Sequence, residues 1–281
     1  MTEPLLSLRD PWMIAAFEGW NDAADAATST VDHLLEQWDA EMFAELDPEE
    51  FYDFQAVRPV LTQSESGVRE IVWPTPTLYV AHPPNQDRDV LLLRAVEPSY
   101  RWQTFCASVI EVARAAGVHE LITLGALLAD SPHTRPVPVS GTTNDPVLME
   151  RLSLEQARYT GPIGITSVLS DVAAREGLAT ASIWAAVPHY AAEPPCYKAT
   201  LALLGAIEDA IGVPLPQGVL REMSEAWQRG ADDLMEQDED LAEYIHSLET
   251  ERDAGDLPEA SGDAIAREFE RYLRRRPTEE S

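Results

Sequence analysis

The hydrophobic pattern of the chain alternates between short apolar runs and longer stretches in which apolar residues recur at helical spacing. Runs of about four to eight apolar residues are typical of buried strands, and recurrence every three to four residues is typical of amphipathic helices. Strands are predicted at residues 12–17, 77–81, 89–96, 120–125, 163–165 and 181–187, and helices at 24–38, 99–116, 146–159, 170–176 and 197–211. This alternation predicts a three-layer α/β/α domain with a mostly parallel sheet.

Two segments interrupt the alternation between the first and second predicted strands. Residues 41–55 are acidic and aromatic and contain Pro48, so we expect an irregular connection there. Residues 68–73 are rich in β-formers, but two prolines separate them from the next run, and we assign strands only to the two runs that follow. The clearest unit is the strand, helix and strand of residues 89–125, whose two strands should be parallel.

The pattern changes after residue 214, where no further strand is predicted. Apolar residues then recur through a strongly acidic helical region, and a polar break at residues 253–261 precedes a last helix around Phe269. We therefore divide the chain into an α/β/α domain at residues 1–215 and an acidic helical extension at residues 216–281. Because isolated amphipathic helices are marginally stable, the apolar stripe of this extension should pack on the main domain or on another subunit.

The composition narrows the range of partners. The 281 residues include 49 acidic and 20 basic ones, which gives a formal net charge of −29. Nucleic acid and anionic membranes bind clustered lysine and arginine, so this charge argues against both and favours a basic or neutral partner surface. No apolar segment approaches the roughly 20 residues of a membrane span, and no signal sequence is predicted. Cys106 and Cys196 lie far apart without metal-ligand spacing, so we predict a cytoplasmic protein with no metal site and no disulfide. We also predict no cofactor.

The turn after the first strand carries several polar residues. Gly19 can reverse the chain there, and Asn21 or Asp22 is placed to cap the following helix. A helix N-terminus attracts anions, but Glu18 and Asp22 already bring negative charge to this one, so capping is favoured over phosphate binding. Trp20 is interpreted as a residue packed against the helix, and the alternative is an exposed contact residue.

Three histidines, His82, His133 and His189, each follow a predicted strand by a few residues in a proline-rich loop. Because the carboxyl ends of parallel strands meet at one edge of a sheet, these loops and the first turn should line one cleft. The functional interpretation is a small-molecule or metal site. The candidate lining residues are Glu18, Asn21, Asp130, His133 and His189. The alternative, which the lack of a metal-binding motif favours, is that the histidines cap turns or fill space beneath loops.

A polar loop predicted at residues 140–145 adds Thr142 and Thr143 to the candidate cleft. Its donor groups are suited to binding an anion at the start of the following helix. Helix capping by Asn144 or Asp145 explains the same residues equally well. The sequence contains no glycine-rich phosphate loop, nucleophile elbow or HExxH motif, so the common nucleotide, lipase and metalloprotease mechanisms lack sequence support.

Two motifs stand in a characteristic order along the chain. The first is Glu18-Gly19-Trp20-Asn21-Asp22-Ala23, which opens an alanine-rich helix, and the second is Pro188-His189-Tyr190 followed by a leucine-rich helix. With an acidic helical C-terminus that ends in residues 261–273, they resemble the proteasome assembly chaperone family of the second-chaperone type, in particular its actinobacterial members. The resemblance covers residues 10–215 and the tail. It implies a fold similar to the phosphorylase/hydrolase-like class, oligomerisation and, as in eukaryotic relatives, a non-catalytic role in proteasome core assembly.

Three functional hypotheses result, the last of which is a stable scaffold whose oligomer is the functional unit. The first is a cytoplasmic, homo-oligomeric, non-catalytic interaction protein that resembles an assembly chaperone and binds a proteasome-related protein partner. The alternative is a small-molecule-binding enzyme of the phosphorylase/hydrolase-like class with its cleft at the carboxyl edge of the sheet. The resemblance supplies no catalytic residues, so the non-enzymatic hypothesis is favoured and enzymatic activity is left open.

Overall fold

The computed structural model describes residues 8–64, 67–84, 86–152 and 154–255. Its strands are β1 (Trp12–Glu18), β2 (Glu41–Glu45), β3 (Val60–Gln63), β4 (Arg69–Val72), β5 (Thr77–Ala81), β6 (Val90–Val96), β7 (Glu120–Ala129), β8 (Val139–Thr143), β9 (Glu155–Gln156) and β10 (Ala179–Pro188). Its helices are α1 (Ala26–Gln37), α2 (Trp102–Ala115), α3 (Pro146–Leu152), α4 (Ile165–Arg175), α5 (Tyr197–Ile211), α6 (Leu220–Gln237) and α7 (Glu239–Gly255). None of the helices in these ranges combines the length and apolar character that a membrane span requires.

One mixed sheet forms the centre of the fold, with its strands in the order β2, β5, β6, β1, β7, β10, β8 and β9. The four central strands, β6, β1, β7 and β10, are parallel, and Trp12 of β1 lies between Val90 and Glu120 of its two neighbours. β5 and β8 flank this group and run antiparallel to it. The predicted α/β/α architecture with a mostly parallel sheet is confirmed.

Alternate residues of the central strands face opposite sides of the sheet and build two hydrophobic cores. Ile14 and Leu92 belong to the core on the side of α1 and α5, and Met13 and Leu91 belong to the core on the side of α2 and α4. All four side chains are fully buried. Burial of one such side chain stabilises the folded chain by about 2 kcal/mol. Both cores therefore help to hold the helices against the sheet.

Three local predictions are wrong. Residues 41–55 are not irregular throughout, because β2 pairs with β5 there. Residues 163–165 are not a strand, since α4 begins at Ile165, whose backbone N–H donates to Glu97 Oε1 at 2.9 Å. The helix predicted to reach residue 159 ends at Leu152, and β9 follows it. In the first two cases a partner distant in sequence decides the local structure.

β3 and β4 form a separate antiparallel hairpin, with Val60 opposite Val72 and Leu61 opposite Ile71. The hairpin is inserted between β2 and β5, which pair with each other at one side of the main sheet, so it extends from that side. The residues of both strands are exposed. The expectation of no strand at residues 68–73 is wrong, because β4 forms there through its pairing with β3, and the prolines that follow do not prevent that pairing.

α6 and α7 pack on the body of the same chain. Leu220 and Ala231 of α6 and Ile245 of α7 are buried, and α6 lies against α5. Much of the apolar stripe of residues 220–255 is therefore covered within the chain, one of the two arrangements expected from the sequence, although Leu234 is 45% exposed. The helix predicted around Phe269 lies outside the described residues.

Candidate functional site

Asn21 is fully buried in the turn after β1. Its Nδ2 donates to Glu97 Oε1 at 2.8 Å, and its Oδ1 accepts from the Thr166 hydroxyl at 3.2 Å. Its carbonyl oxygen accepts from the Ala126 N–H of β7 at 2.8 Å. Asn21 therefore joins the turn to β7 and to the start of α4, and its side chain neither caps α1 nor faces a cleft.

Asp22 caps α1. Its carboxylate accepts from the backbone N–H groups of Ala27 at 2.6 Å and Thr28 at 3.2 Å, and from the Thr28 hydroxyl. Ala24 and Asp25 have left-handed backbone conformations, with φ of 52° and 53°, so the chain makes a sharp turn before the helix begins. Burial raises the pKa of Asp22 to about 6. The turn is a structural connection around an enclosed acid, which does not favour an anionic ligand.

The other side chains of this turn face outward. Glu18 forms an ion pair with Arg94, whose Nε also lies 3.0 Å from Asp32 Oδ1. Trp20 is 69% exposed, so its interpretation as a residue packed against the helix is wrong. Gly19, at a φ of 115°, bends the chain before Trp20 can reach α1. An exposed indole offers a large contact surface to a protein partner.

His133 is buried where α6 covers the loop that follows β7. Its Nδ1 lies 2.9 Å from the Tyr190 hydroxyl, and its Nε2 lies 3.0 Å from Asp232 Oδ1. The backbone N–H of His133 donates to the same hydroxyl at 2.7 Å. Burial raises the pKa of Tyr190 to about 12, so this hydroxyl keeps its proton near neutral pH. The imidazole is enclosed between the body and α6, with both ring nitrogens engaged.

Asp130 and His189 make a second contact, with α7. The Tyr244 hydroxyl donates to Asp130 Oδ1 at 2.8 Å and lies 3.1 Å from His189 Nε2. The Tyr190 ring lies edge-on to both histidines, with its centroid 5.7 Å from that of His133 and 5.7 Å from that of His189. The structure thus brings three of the candidate residues, Asp130, His133 and His189, into one cluster beneath α6 and α7.

Further polar contacts fasten both helices over the same loop. Arg135 lies 3.1 Å from Glu249 Oε1 and 2.8 Å from Asp253 Oδ2, both on α7. Lys198 of α5 donates to Gln228 of α6, and burial lowers the pKa of Lys198. Each exposed ion pair contributes only about 0–1 kcal/mol, so the hydrogen bonds of the buried His133 matter more than these pairs. α6 and α7 therefore cover the loop that contains His133, whereas Leu127, Leu128 and Asp130 at the end of β7 remain exposed.

Thr142 and Thr143 lie away from this cluster. The expected loop is a strand, because residues 139–143 pair with β10, and Thr143 lies opposite Ala181 near the start of β10 rather than its end. The Thr143 hydroxyl accepts from the Asp145 N–H at 2.9 Å. The Asp145 carboxylate accepts from two backbone N–H groups in the first turn of α3, so Asp145 caps that helix.

His82 is also separate from the cluster. β5 runs antiparallel to β6, so the loop after β5 lies at the amino edge of the parallel strands. There His82 Nδ1 lies 2.8 Å from Asp89 Oδ1, and Asp89 also pairs with Arg9. The expectation that all three histidine loops share one edge is wrong for His82, because β5 is antiparallel to the central strands.

Two cavities of the protein lie away from the cluster. The described residues contain no group of three or more His, Cys, Asp or Glu side chains placed to bind a metal ion. A cavity of about 440 Å³ lies at the amino edge and is lined by residues that include Glu120 and Arg151, which form an ion pair. A smaller cavity of about 140 Å³ is lined by Thr142, Thr143 and residues of α4. Neither lining includes His133.

Tyr190, Asp232 and Tyr244 complete the cluster and were not among the candidate residues. Tyr190 stands in the Pro188-His189-Tyr190 motif, so its position after a buried strand offered a local signal. Asp232 is 99 residues from His133, and Tyr244 is 55 residues from His189. No local pattern distinguishes Asp232 from the other acidic residues of α6, so only the folded chain reveals its role.

The fold and the cluster define an α/β/α protein whose own C-terminal helices pack over part of the carboxyl edge of its sheet. The sequence model of the PAC2 family matches residues 16–235, and the chain belongs to this family. The predicted membership of the proteasome assembly chaperone family is confirmed. The match continues past residue 215 through most of α6, and the division of the chain at that residue stays a prediction.

Solved structures are similar over most of the chain. A PAC2 family protein from Streptomyces avermitilis is 49% identical, with a TM-score of 0.79 and coverage of 84% of this chain and 100% of that chain. A proteasome-assembly chaperone homologue from Mycobacterium tuberculosis is 44% identical, with a TM-score of 0.76 and coverage of 83% and 99%. An archaeal proteasome activator from Pyrococcus furiosus, 16% identical, shares the fold with a TM-score of 0.64 and coverage of 81% and 94%. A comparison with curated proteins found no match.

Proposed function

We propose that this chain is a non-catalytic interaction protein that assists the assembly of a proteasome-related partner and acts as a homo-oligomer in the cytoplasm. The observation that carries the proposal is its 44% identity, over nearly all of that chain, to the proteasome-assembly chaperone homologue from Mycobacterium tuberculosis. An assembly chaperone acts by binding, so this function depends on exposed surface rather than on a reactive centre.

The contacts of the cluster support binding over catalysis. Open α/β sheets usually receive ligands at this edge. Here His133 is buried with both ring nitrogens engaged, and Tyr244 lies between Asp130 and His189. His133 therefore has no free ring nitrogen to offer a substrate, and all three residues help to hold α6 and α7 on the body, although the side chains of Asp130 and His189 are 74% and 44% exposed. We therefore favour the interaction protein over the small-molecule enzyme.

Charge and an exposed aromatic residue indicate the chemistry of the partner. Residues 220–255, which form α6 and α7, contain twelve acidic and three basic residues. A basic partner surface is attracted to such a region, and the association rate then falls as the salt concentration rises. Trp20 follows β1 at the same edge of the sheet and offers an apolar anchor of the type that dominates many interfaces.

The experiment that tests this function is binding of the purified full chain to purified proteasome core subunits from the same organism, measured by calorimetry. Trp20→Ala should weaken the complex about tenfold or more. The matched control is Val147→Ala on α3, because Val147 is similarly exposed at 68%. The proposal is wrong if neither separate subunits nor the assembled core binds at about 100 µM, where an interaction of about −5.5 kcal/mol is detected.

Ligand screening separates this function from the enzymatic alternative. Thermal unfolding with nucleosides, nucleotides and divalent cations should give no shift in Tm, because His133 is buried with both ring nitrogens engaged. A ligand-dependent shift that disappears in His189→Ala, whose imidazole lies at the rim of the cluster, would instead support the small-molecule enzyme.

A further inference from the structure

The β3–β4 hairpin exposes apolar side chains that nothing in the described part of the chain covers. Val60 and Val72 are 59% and 50% exposed, and Leu61 and Ile71 are 51% and 54% exposed. Val60 lies directly opposite Val72, and Leu61 lies directly opposite Ile71. Because successive residues of a strand point to opposite faces, each face of the hairpin carries one of these apolar pairs.

The base of the hairpin is fixed to the body. Phe51 and Tyr52 are buried in the core on the α2 side, and the Tyr52 hydroxyl donates to the Val96 carbonyl at 2.7 Å. At the end of β4, the Trp73 ring packs on Phe54 with 4.9 Å between ring centroids. The hairpin therefore projects from an ordered support and presents its two faces in a defined position.

A hairpin of this kind is suited to association. An isolated two-stranded hairpin is at best marginally stable in water and gains stability from additional strands or from a packed face. Within the described residues, β3 and β4 pair only with each other, so each strand keeps one unpaired backbone edge. Such an edge is a template for pairing with another chain.

The charge pattern favours a second copy of this chain as the partner. Residues 58–73 contain two arginines and two glutamates and are therefore neutral, although the whole chain carries a net charge of −29. Two copies that meet at the hairpins avoid most of the repulsion that would arise between their acidic α6 and α7 helices. A basic partner, by contrast, is attracted to those helices and gains no electrostatic attraction from the neutral hairpin.

We infer that the β3–β4 hairpin is the surface through which this protein binds a second copy of itself. This inference rests on the homo-oligomer of the proposed function and adds the location of its interface. Backbone pairing at a free hairpin edge and packing of the valine, leucine and isoleucine side chains supply the contacts.

The test compares the self-association of full-length variants by analytical ultracentrifugation over a concentration series. Ile71→Glu places a charge on the apolar face and should raise the dissociation constant at least about tenfold. Val147→Glu, at a similarly exposed apolar site on α3, should leave it unchanged. Urea unfolding of both variants checks that the body remains folded.

Disulfide trapping provides a second measurement that does not require a disruptive substitution. Cys106 and Cys196 are fully buried, and burial raises their pKa values to about 12 and about 11, so the native thiols are poorly reactive. Under mild oxidation, Ile71→Cys should form a covalent dimer, whereas the matched Val147→Cys should stay monomeric in denaturing electrophoresis.

The outcomes separate the interface from the oligomer itself. Loss of association in a folded Ile71→Glu variant, or selective trapping of Ile71→Cys, supports the hairpin interface. A wild-type chain that stays monomeric at about 100 µM overturns both the homo-oligomer and this surface, even if another protein binds the hairpin. An oligomer that is unaffected by Ile71→Glu and is not trapped by Ile71→Cys overturns the surface alone.

Discussion

Asp22 connects the turn after β1 to the pH dependence of folding. Its side chain is buried, and burial raises its pKa from 3.8 to about 6. Because the folded-state pKa is the higher one, the stabilising contribution of the protonated group is complete below pH 3.8 and is lost as the pH rises through 6. Linkage between these two pKa values predicts that about 2 kcal/mol of unfolding free energy is lost between pH 4.5 and pH 7.5.

Asp22→Asn isolates this effect, because the amide does not titrate and its oxygen can still accept from the Ala27 N–H. Urea unfolding of both proteins across this pH range gives the difference in their unfolding free energies, from which the other titrating groups cancel. The natural protein should lose about 2 kcal/mol relative to the variant. If the unfolding free energies of the two proteins change in parallel with pH, the proposed effect of Asp22 is refuted. If the natural protein instead gains stability relative to the variant as the pH rises, the hydrogen bonds to the carboxylate outweigh its burial.

Two further predictions concern the burial of His133 and the packing of Asn21 in the turn after β1. His133→Ala should lower the unfolding free energy by about 2–4 kcal/mol in urea, because it leaves a cavity and removes the hydrogen-bond partner of Asp232. It should also speed hydrogen exchange in α6, and unchanged exchange would contradict its role in holding that helix. Gly164→Ala should destabilise by about 1–3 kcal/mol in thermal unfolding, because a Cβ there would lie 2.1 Å from Asn21 Oδ1. Gly230→Ala, in open space within α6, should instead stabilise by about 1 kcal/mol, and equal effects of the two substitutions would disprove the steric explanation.

The centre of the fold could be predicted from the sequence because its local pattern and its final environment agree. The central strands are buried on both faces, so they appear as continuous apolar runs. Helix α5 has the bounds predicted for it, Tyr197–Ile211, because an apolar stripe faces the sheet and Gly212, at a φ of 72°, ends the helix. These elements need little information from distant parts of the chain.

The peripheral strands could not be predicted because pairing, rather than residue preference, defines them. β8 has the sequence Val139-Ser140-Gly141-Thr142-Thr143, which is typical of a loop, and becomes a strand through its antiparallel pairing with β10. β2 is acidic and largely exposed, and it is a strand because it pairs with β5. Edge strands lack the continuous burial that makes central strands recognisable.

The candidate site was partly accessible from the sequence. Loops that follow parallel strands meet at one edge, which correctly groups Asp130, His133 and His189. The same reasoning misplaced His82, because strand direction is not visible in an apolar run. His133 is buried because α6 packs over it and brings Asp232 to its ring. The sequence does not reveal that packing, so it could not distinguish a buried histidine from one that lines an open cleft.

The central claim, that this PAC2 family protein assists proteasome assembly by binding, is tested most directly by the rate of core assembly. Purified core subunits from the same organism would be mixed with and without the full chain, and the assembled core followed over time by native mass spectrometry. We expect faster assembly with the natural chain, a smaller increase with Trp20→Ala and an undiminished increase with Val147→Ala. An assembly rate that does not change when the chain is in excess would contradict the proposed function.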